Sequence, residues 1–544
     1  MTGPAALDDV RALLDDALTR WGGVPDAAGR LAAARRRLDE PLRVAIVGRV
    51  KAGKSTLLNA LVGARVAPTD AGECTRVVTE YRHGATPRVV LRGRDGAARD
   101  LPVRRDGGGL QLDLAGTAPE DVATLVVDWP SPDLLAATLV DTPGTGSLST
   151  GTSDRTHAFL GTDAGLAGAD AIVHLTRRPQ PDDLAVLSAF QAATGATGTL
   201  TTTITVLSRA DELGAGRIDA LHAAEAAARR MSADPALRAV SSAVVPVAGR
   251  LALAGRTLRH GDLVALRSLA AADPAAVTGM LLTADRFSRP ETPVPLSAEV
   301  RAGLLDRLGL FGVRLSVALV RAGIGDADAL AAELLRRSGL VELQRLLHVH
   351  FTARGGPVRA AAALRLVESL LEEHPVDGAE AVRAEVERIR LAGDDLAELA
   401  LLARTRAPGG PLPAALAAEG ERLLGATDTT PAARLGLPAD TPPAALRTEA
   451  LQALRRWREA AADPLADRAA ADAADVVVRS VEGVLAALDA APGSAGAGPG
   501  PGGAGEQRDR DQQEQPGRRD QRDPVEVGVP RRGALRHVED QQGR

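Results

Sequence analysis

Of the 65 lysines and arginines in this 544-residue chain, only two are lysines, Lys51 and Lys54. Both fall within Gly48-Arg49-Val50-Lys51-Ala52-Gly53-Lys54-Ser55-Thr56, which fits the phosphate-loop pattern G-x-x-x-x-G-K-[ST]. A glycine-rich turn can wrap phosphate oxygens with backbone N–H groups, and a slim ammonium reaches between them as a compact charge. A planar guanidinium would crowd that space, which gives a chain otherwise committed to arginine a reason to keep lysine here. Lys54 is therefore expected on the β- and γ-phosphates of a nucleoside triphosphate. The Ser55 hydroxyl is expected on a Mg2+ ion bridging the same oxygens. Gly48, Lys51, Ala52, Gly53 and Thr56 complete the expected phosphate cradle.

Two downstream turns extend this chemistry. Leu139-Val140-Asp141-Thr142-Pro143-Gly144 is an apolar run ending in D-x-x-G. Asp141 is expected to hold Mg2+ through water and the Gly144 N–H to meet the γ-phosphate, so the turn changes when that phosphate leaves. Val206-Leu207-Ser208-Arg209-Ala210-Asp211 ends another apolar run in a degenerate form of the guanine pattern N-K-x-D, with Ser208 first and Arg209 in the lysine position. A carboxylate at Asp211 can accept from both the N1–H and the exocyclic amine of guanine, a donor pair that adenine lacks. Arg209 can lie flat over the base. GTP with Mg2+ is the expected ligand, and Val245-Pro246-Val247-Ala248-Gly249-Arg250 is placed to form the far wall of the base pocket.

Hydrolysis also needs a switch threonine to coordinate Mg2+ and hold the attacking water. Thr75, in Glu73-Cys74-Thr75-Arg76-Val77-Val78-Thr79-Glu80-Tyr81, is the first choice, with Thr69 and Thr79 as alternatives; Thr79 reads as strand. Thr145 follows Gly144 where small signalling GTPases carry a water-orienting glutamine. Lys51 is then the candidate source of catalytic charge, beside Lys54 and Thr75. Cys74 reads as a small packing residue, and His83, His157 and His174 are scattered singly and read as structural.

Elements of the right kind surround these motifs. Residues 5–39 read as helix with a break near Gly22-Gly23-Val24-Pro25, and Pro41 ends them. Leu42–Val47 is a β-branched run of buried-strand type, and Ser55–Leu61 has helical spacing, so strand, loop and helix follow in the order a phosphate loop requires. Further strands are predicted at Val77–Tyr81, Pro87–Arg92, Thr124–Val127, Ala137–Val140, Ala171–Leu175, Thr202–Leu207 and Ala243–Val247. Helical segments separate several of them, which predicts an α/β domain: a mostly parallel sheet with helices on both faces. After about residue 255 the composition turns to Ala, Leu, Arg and Glu, the signature of packed helices. Breakers divide this half at Pro290–Pro295, Gly355-Gly356-Pro357, Pro375, Pro408–Pro413 and Thr427–Pro443. Residues 378–405 read as one helix of about 40 Å. Leu446, Leu451, Leu454, Trp457 and Ala461 are predicted to share one face, as are Val477, Val481, Val484 and Leu488. The expected division is N-terminal helices 1–40, a GTPase domain 41–255, a helical region 256–490, and a disordered tail 491–544 rich in Gly, Pro, Gln, Arg and Asp.

Composition narrows the function classes. A net charge of −5, with both signs spread throughout and no basic module, argues against nucleic-acid binding. One cysteine excludes an internal disulfide and suits a reducing compartment. Met1-Thr2-Gly3-Pro4 opens no basic-then-apolar leader, so no secretory signal is expected. The longest uncharged run, Leu184–Ser208, is rich in Thr and Gly and reads as a helix end, a turn and a buried strand rather than a membrane span.

Taken together, Gly48–Leu61, Glu73–Tyr81 and Asp141-Thr142-Pro143-Gly144-Thr145-Gly146-Ser147 resemble the bacterial dynamin-like proteins, in particular the actinobacterial group with the mycobacterial isoniazid-inducible GTPases. Leu308–Leu315 and Arg479–Gly483 fit as well, so the likeness covers roughly residues 1–488. The resemblance implies a large GTPase domain on a helical neck and trunk, with the N-terminal helix packed back onto helices that follow the GTPase domain. It implies homo-oligomerisation through GTPase faces, a possible second dynamin-like partner, and GTP-dependent remodelling of lipid at the inner face of the plasma membrane by a cytoplasmic protein. Eukaryotic dynamins carry Gln-Ser where this chain has Val50-Lys51, so their catalytic details do not transfer. Candidate membrane tips are Pro408–Pro413 and Leu435-Gly436-Leu437-Pro438. The alternative function is a GTP-regulated switch or scaffold for a protein partner; an RNA-maturation GTPase is disfavoured because no basic module is present.

Overall fold

The computed structural model describes residues 4–68, 77–106, 109–143, 169–193, 202–406 and 409–490. Eleven strands occur among them: β1 (Leu42–Gly48), β2 (Thr79–His83), β3 (Arg88–Gly93), β4 (Ala98–Leu101), β5 (Arg104–Asp106), β6 (Gly109–Gln111), β7 (Val122–Trp129), β8 (Ala137–Asp141), β9 (Ala171–Thr176), β10 (Thr203–Ser208) and β11 (Ala243–Val247). Nine form one sheet in the order β11-β10-β9-β1-β8-β2-β7-β3-β4, and β5 pairs with β6 in a separate hairpin. From β11 to β8 every pairing is parallel, as is β2 with β7; β2 with β8 and β3 with its neighbours are antiparallel. The fold is thus α/β with a mostly parallel sheet, followed by helices.

β1 lies inside the sheet with β8 and β9 on either side, and the alternation of its residues explains why both faces are covered. Val44 and Ile46 join Leu57, Leu58 and Leu61 of the helix Lys54–Val62 in one core. Ala45 and Val47 point the other way, into a core with Leu187 and Phe190 of the helix Pro181–Ala193. The Leu184–Ser208 run resolves at its two ends into that helix and β10; residues 194–201 lie outside the described residues.

The two N-terminal helices, Pro4–Arg20 and Pro25–Arg37, flank the Gly22–Pro25 break. Val10, Leu13, Leu14, Ala17 and Trp21 bury against Leu364, Val367 and Leu371 of helix Gly355–Glu373 and Val382 and Val386 of helix Ala379–Ala392. Trp21 is fully buried, and its indole Nε1 donates to the His374 carbonyl at 2.9 Å, satisfying the one polar atom of that ring. The N-terminal helices are therefore packed on helices more than 340 residues further along.

After β11 the described residues contain helices and no strand. Three sequence readings are corrected here. The expected single helix over 378–405 is two, Ala379–Ala392 and Asp394–Arg406, because Gly393 takes an extended backbone between them. Leu451 is exposed rather than on the buried stripe of helix Pro443–Ala461, where Ala450 and Ala453 bury beside Leu446, Leu454 and Trp457. Leu412 and Leu435, one leucine from each expected membrane tip, are buried in the core of the last helices, and Leu437 packs partly buried against it. Val477, Val481, Val484 and Leu488 of helix Arg468–Ala490 are all buried, as predicted. Cys74, Thr75, Gly144, His157 and the tail 491–544 lie outside the described residues.

Candidate nucleotide site

The loop between β1 and helix Lys54–Val62 is shaped by glycine at its two ends. A Cβ at Gly48 would lie 2.5 Å from the Leu175 carbonyl oxygen, so only glycine lets β9 pass this close. Gly53 has φ 100° and caps the helix, leaving the first N–H groups of Lys54–Val62 facing the loop. Lys54 folds back so that Nζ donates to the Gly48 carbonyl at 3.0 Å and the Arg49 carbonyl at 3.3 Å. Burial pulls the Lys54 pKa down, and the Asp141 carboxylate pulls it the other way.

Asp141 ends β8 directly opposite Ile46 of β1. Its Oδ2 accepts from the Ser55 hydroxyl at 3.2 Å, while its Oδ1 is buried without a hydrogen-bond partner. Burial pushes this carboxyl up to about 6; the charge of Lys54 and the bond from Ser55 only partly offset it. The exit turn is pinned by Thr142, whose hydroxyl donates to the Ile46 carbonyl at 2.8 Å. One hydroxyl and one under-satisfied carboxylate form a hard-oxygen pair of the kind that suits Mg2+ and keeps several waters on it. Among the described residues there is no group of three or more His, Cys, Asp or Glu that could hold a metal ion.

The base motif lies along the same cleft, about 520 Å³ open at its mouth, lined by Gly53, Thr56, Ser208, Asp211, Val247 and Arg250 among others. Ser208 ends β10 with its hydroxyl buried and unpartnered. Asp211 follows in the turn Ala210–Gly216, and burial raises its pKa above the usual carboxylate value. Val247, Gly249 and Arg250 form part of the wall, as read from the sequence. Arg209, the residue expected over the base, here reaches back to the phosphate loop. Its backbone is left-handed at φ 53°, its Nη2 donates to the Lys51 carbonyl at 2.9 Å, and its Nη1 donates to Glu212 at 2.7 Å.

Lys51 is itself left-handed, at φ 63°, and its side chain is exposed. Thr79 is buried in β2, which leaves it no switch role; Thr69, Thr75 and Gly144 lie outside the described residues. His174 pairs with Asp183 at 3.5 Å and His83 meets the Ser131 carbonyl at 3.0 Å, both structural uses. Glu212, which lines the cleft, and Arg177 and Gln180, which contact Glu212 and Arg49 respectively, were not legible in the sequence because they match no local pattern.

The profile of the dynamin family matches residues 44–208, the span that carries the phosphate loop, Asp141 and Ser208. The isoniazid-induced protein IniC of Mycobacterium tuberculosis is 41% identical over 489 residues, 89% of this chain and 99% of IniC. The chain belongs to the dynamin family. It is accordingly a GTPase, an enzyme that binds GTP and hydrolyses it to GDP and phosphate. A bacterial dynamin-like protein of Nostoc punctiforme is 32% identical over 135 residues, 22% of this chain and 20% of that protein. Among solved structures, one of an oligomerised bacterial dynamin pair overlays 90% of this chain and 76% of its own at 12% identity and a TM-score of 0.32, too loose to argue from. No helix among the described residues is long and apolar enough to cross a membrane.

Proposed function

We propose that this dynamin-family GTPase holds Mg2+–GTP in the cleft described above and couples its turnover to self-association at a membrane surface. The observation that carries the nucleotide half is a convergence: Lys54, Ser55 and Asp141 meet where β1 and β8 end, and their phosphate-loop neighbours Ala52, Gly53 and Thr56 line the cleft that Ser208 and Asp211 also line. Incoming phosphates replace the Gly48 and Arg49 carbonyls as partners of Lys54, whose ammonium then offsets the charge on the β- and γ-oxygens. Ser55 and Asp141 would hold Mg2+, which would supply positive charge to the triphosphate. Thr75 and the Gly144 N–H are assigned to the attacking water and the γ-phosphate. Lys51, exposed on its left-handed turn, supplies positive charge to the transition state in place of the missing glutamine. Asp211 accepts from the guanine N1–H and amine.

The membrane half rests on kinship, and the structure redirects where to look. With Leu412 and Leu435 buried, the most exposed large apolar residue among the described ones is Leu465, at 93% exposure. It sits in the turn joining helices Pro443–Ala461 and Arg468–Ala490. We assign this tip to contact lipid at the inner face of the plasma membrane, with GTPase faces, of this chain or a second dynamin-like protein, as the self-association surface. The alternative is a GTP-regulated scaffold for a protein partner, and burial of Leu412 and Leu435, a leucine from each expected tip, favours it. Flotation with anionic liposomes in the presence of a non-hydrolysable GTP analogue separates the two. The native chain is expected to float and Leu465→Asp to lose most of that binding, whereas a native chain left at the bottom supports the scaffold.

A further inference from the structure

Polar contacts tie three segments beside the cleft into a ring, two of whose members, Arg209 and Glu212, line the cleft itself. Arg209 of the base loop reaches the phosphate loop through the Lys51 carbonyl at 2.9 Å and its own loop through Glu212 Oε1 at 2.7 Å. The other carboxylate oxygen of Glu212 faces Arg177 Nη2 at 3.6 Å, on the loop that follows β9. Three residues further along that loop, the Gln180 side-chain carbonyl accepts from Arg49 of the phosphate loop, which closes the circle. Gln180 is itself anchored, its backbone N–H donating to Asp183 at 3.0 Å.

Glu212 is the hub. It is the one anion in the ring and bridges two cations from different loops, and it also lines the cleft. The ring explains an oddity of the motif as well. The two terminal nitrogens of Arg209 serve two separate acceptors, an arrangement that the fixed fork of a guanidinium spans with one donor aimed at each. Both residues joined by the Arg209–Lys51 bond have left-handed backbones, φ 53° and 63°, conformations a non-glycine residue keeps only when its surroundings hold it.

We propose that Glu212 is a positioning residue that keeps the bound guanine nucleotide in place by holding Arg209 against the phosphate loop, so that it sets the rate of nucleotide release. The inference rests on the cleft being the guanine-nucleotide site. Glu212 acts on the mouth and Asp211 on the base, so the two are separable: loss of Glu212 affects guanine and hypoxanthine nucleotides alike.

The test is the dissociation rate of mant-GDP by stopped-flow displacement, in a double-mutant cycle of Glu212→Ala and Arg209→Gln. In the native background Glu212→Ala should speed release roughly two- to fivefold, the scale of one exposed ion pair. In the Arg209→Gln background, where the link from Glu212 to the phosphate loop has lost its charge and only Arg177 remains paired with it, the same change should leave the rate within about 1.3-fold, because the coupled pair is already broken. Release of mant-IDP should accelerate by the same factor as mant-GDP. An unchanged rate in Glu212→Ala, an equal factor in both backgrounds, or an effect confined to mant-GDP overturns the proposal. A native chain that fails to hold mant-GDP overturns the nucleotide reading itself, an outcome distinct from the other three.

Discussion

At the level of the residue, Asp211 is assigned to the choice of base: it sits half-buried in the turn after β10, where desolvation raises its pKa above the usual carboxylate value. A buried acceptor left without a donor costs about 1–3 kcal/mol, so guanine, which offers two donors, is preferred over bases that offer none. Asp211→Asn replaces one acceptor with a donor. It should weaken GTP binding by roughly 10- to 100-fold, consistent with that penalty, and favour XTP, whose carbonyl replaces the guanine amine. Competition binding with GTP and XTP reads both effects. Lys51 carries a different expectation: Lys51→Ala should lower kcat at saturating GTP by roughly 100-fold, the scale of one lost charge or donor on a developing oxyanion. Unchanged turnover would remove Lys51 from the mechanism. Lys54, Ser55, Asp141 and Asp211 were legible in the sequence because each belongs to a short pattern whose neighbours fix its setting. The Arg209–Lys51 bond was not, since it joins residues 158 apart and no local spacing encodes it.

Strands and helices were legible where one periodicity dominates. β11 matches its predicted range, and most other predicted strands shift by two residues or fewer at their ends. β4, β5 and β6 escaped because their polar, glycine-rich stretch, 98–111, offers no apolar run to mark an edge strand or hairpin. The split at Gly393 escaped because charge and apolar spacing continue smoothly across it. The π-type turn His348–Thr352, just before helix Gly355–Glu373, could not be foreseen either, and it carries a measurable consequence. His350 within it is buried, and desolvation, aided by Arg354, Arg406 and Arg345, holds its pKa down at about 3, against 6.5 when free. The folded state therefore resists a proton that the unfolded chain accepts. Stability is intact above about pH 6.5 and falls progressively as pH drops toward 3. At about pH 5 the loss from this one group is about 2 kcal/mol, and His350→Gln should escape it. Urea melts of both proteins at neutral pH and at about pH 5 check this; an equal acid-induced loss in the two would contradict it.

At the scale of the whole molecule, separate hydrophobic cores are joined by contacts of different character. The N-terminal helices and helix Gly355–Glu373 share an apolar core. The last helices have a core of their own and meet the sheet domain through charged groups. Glu421 accepts from Arg238 of helix Pro235–Val240 at 3.1 Å and from Arg406 at 3.2 Å, and Arg406 also donates to the Ser242 carbonyl at 3.3 Å. Composition announced a helical half but not these partners, because an Ala-, Leu- and Arg-rich helix shows which face is apolar and not what covers it. The account's central claim, a GTPase whose activity rises on self-association at a membrane, is tested most directly by GTP turnover per molecule across a range of protein concentrations, with and without anionic liposomes and with Lys54→Ala as the inactive control. Turnover is predicted to climb with concentration and to climb again with liposomes. A slow rate indifferent to both would contradict the claim and leave a nucleotide-switched scaffold as the better account.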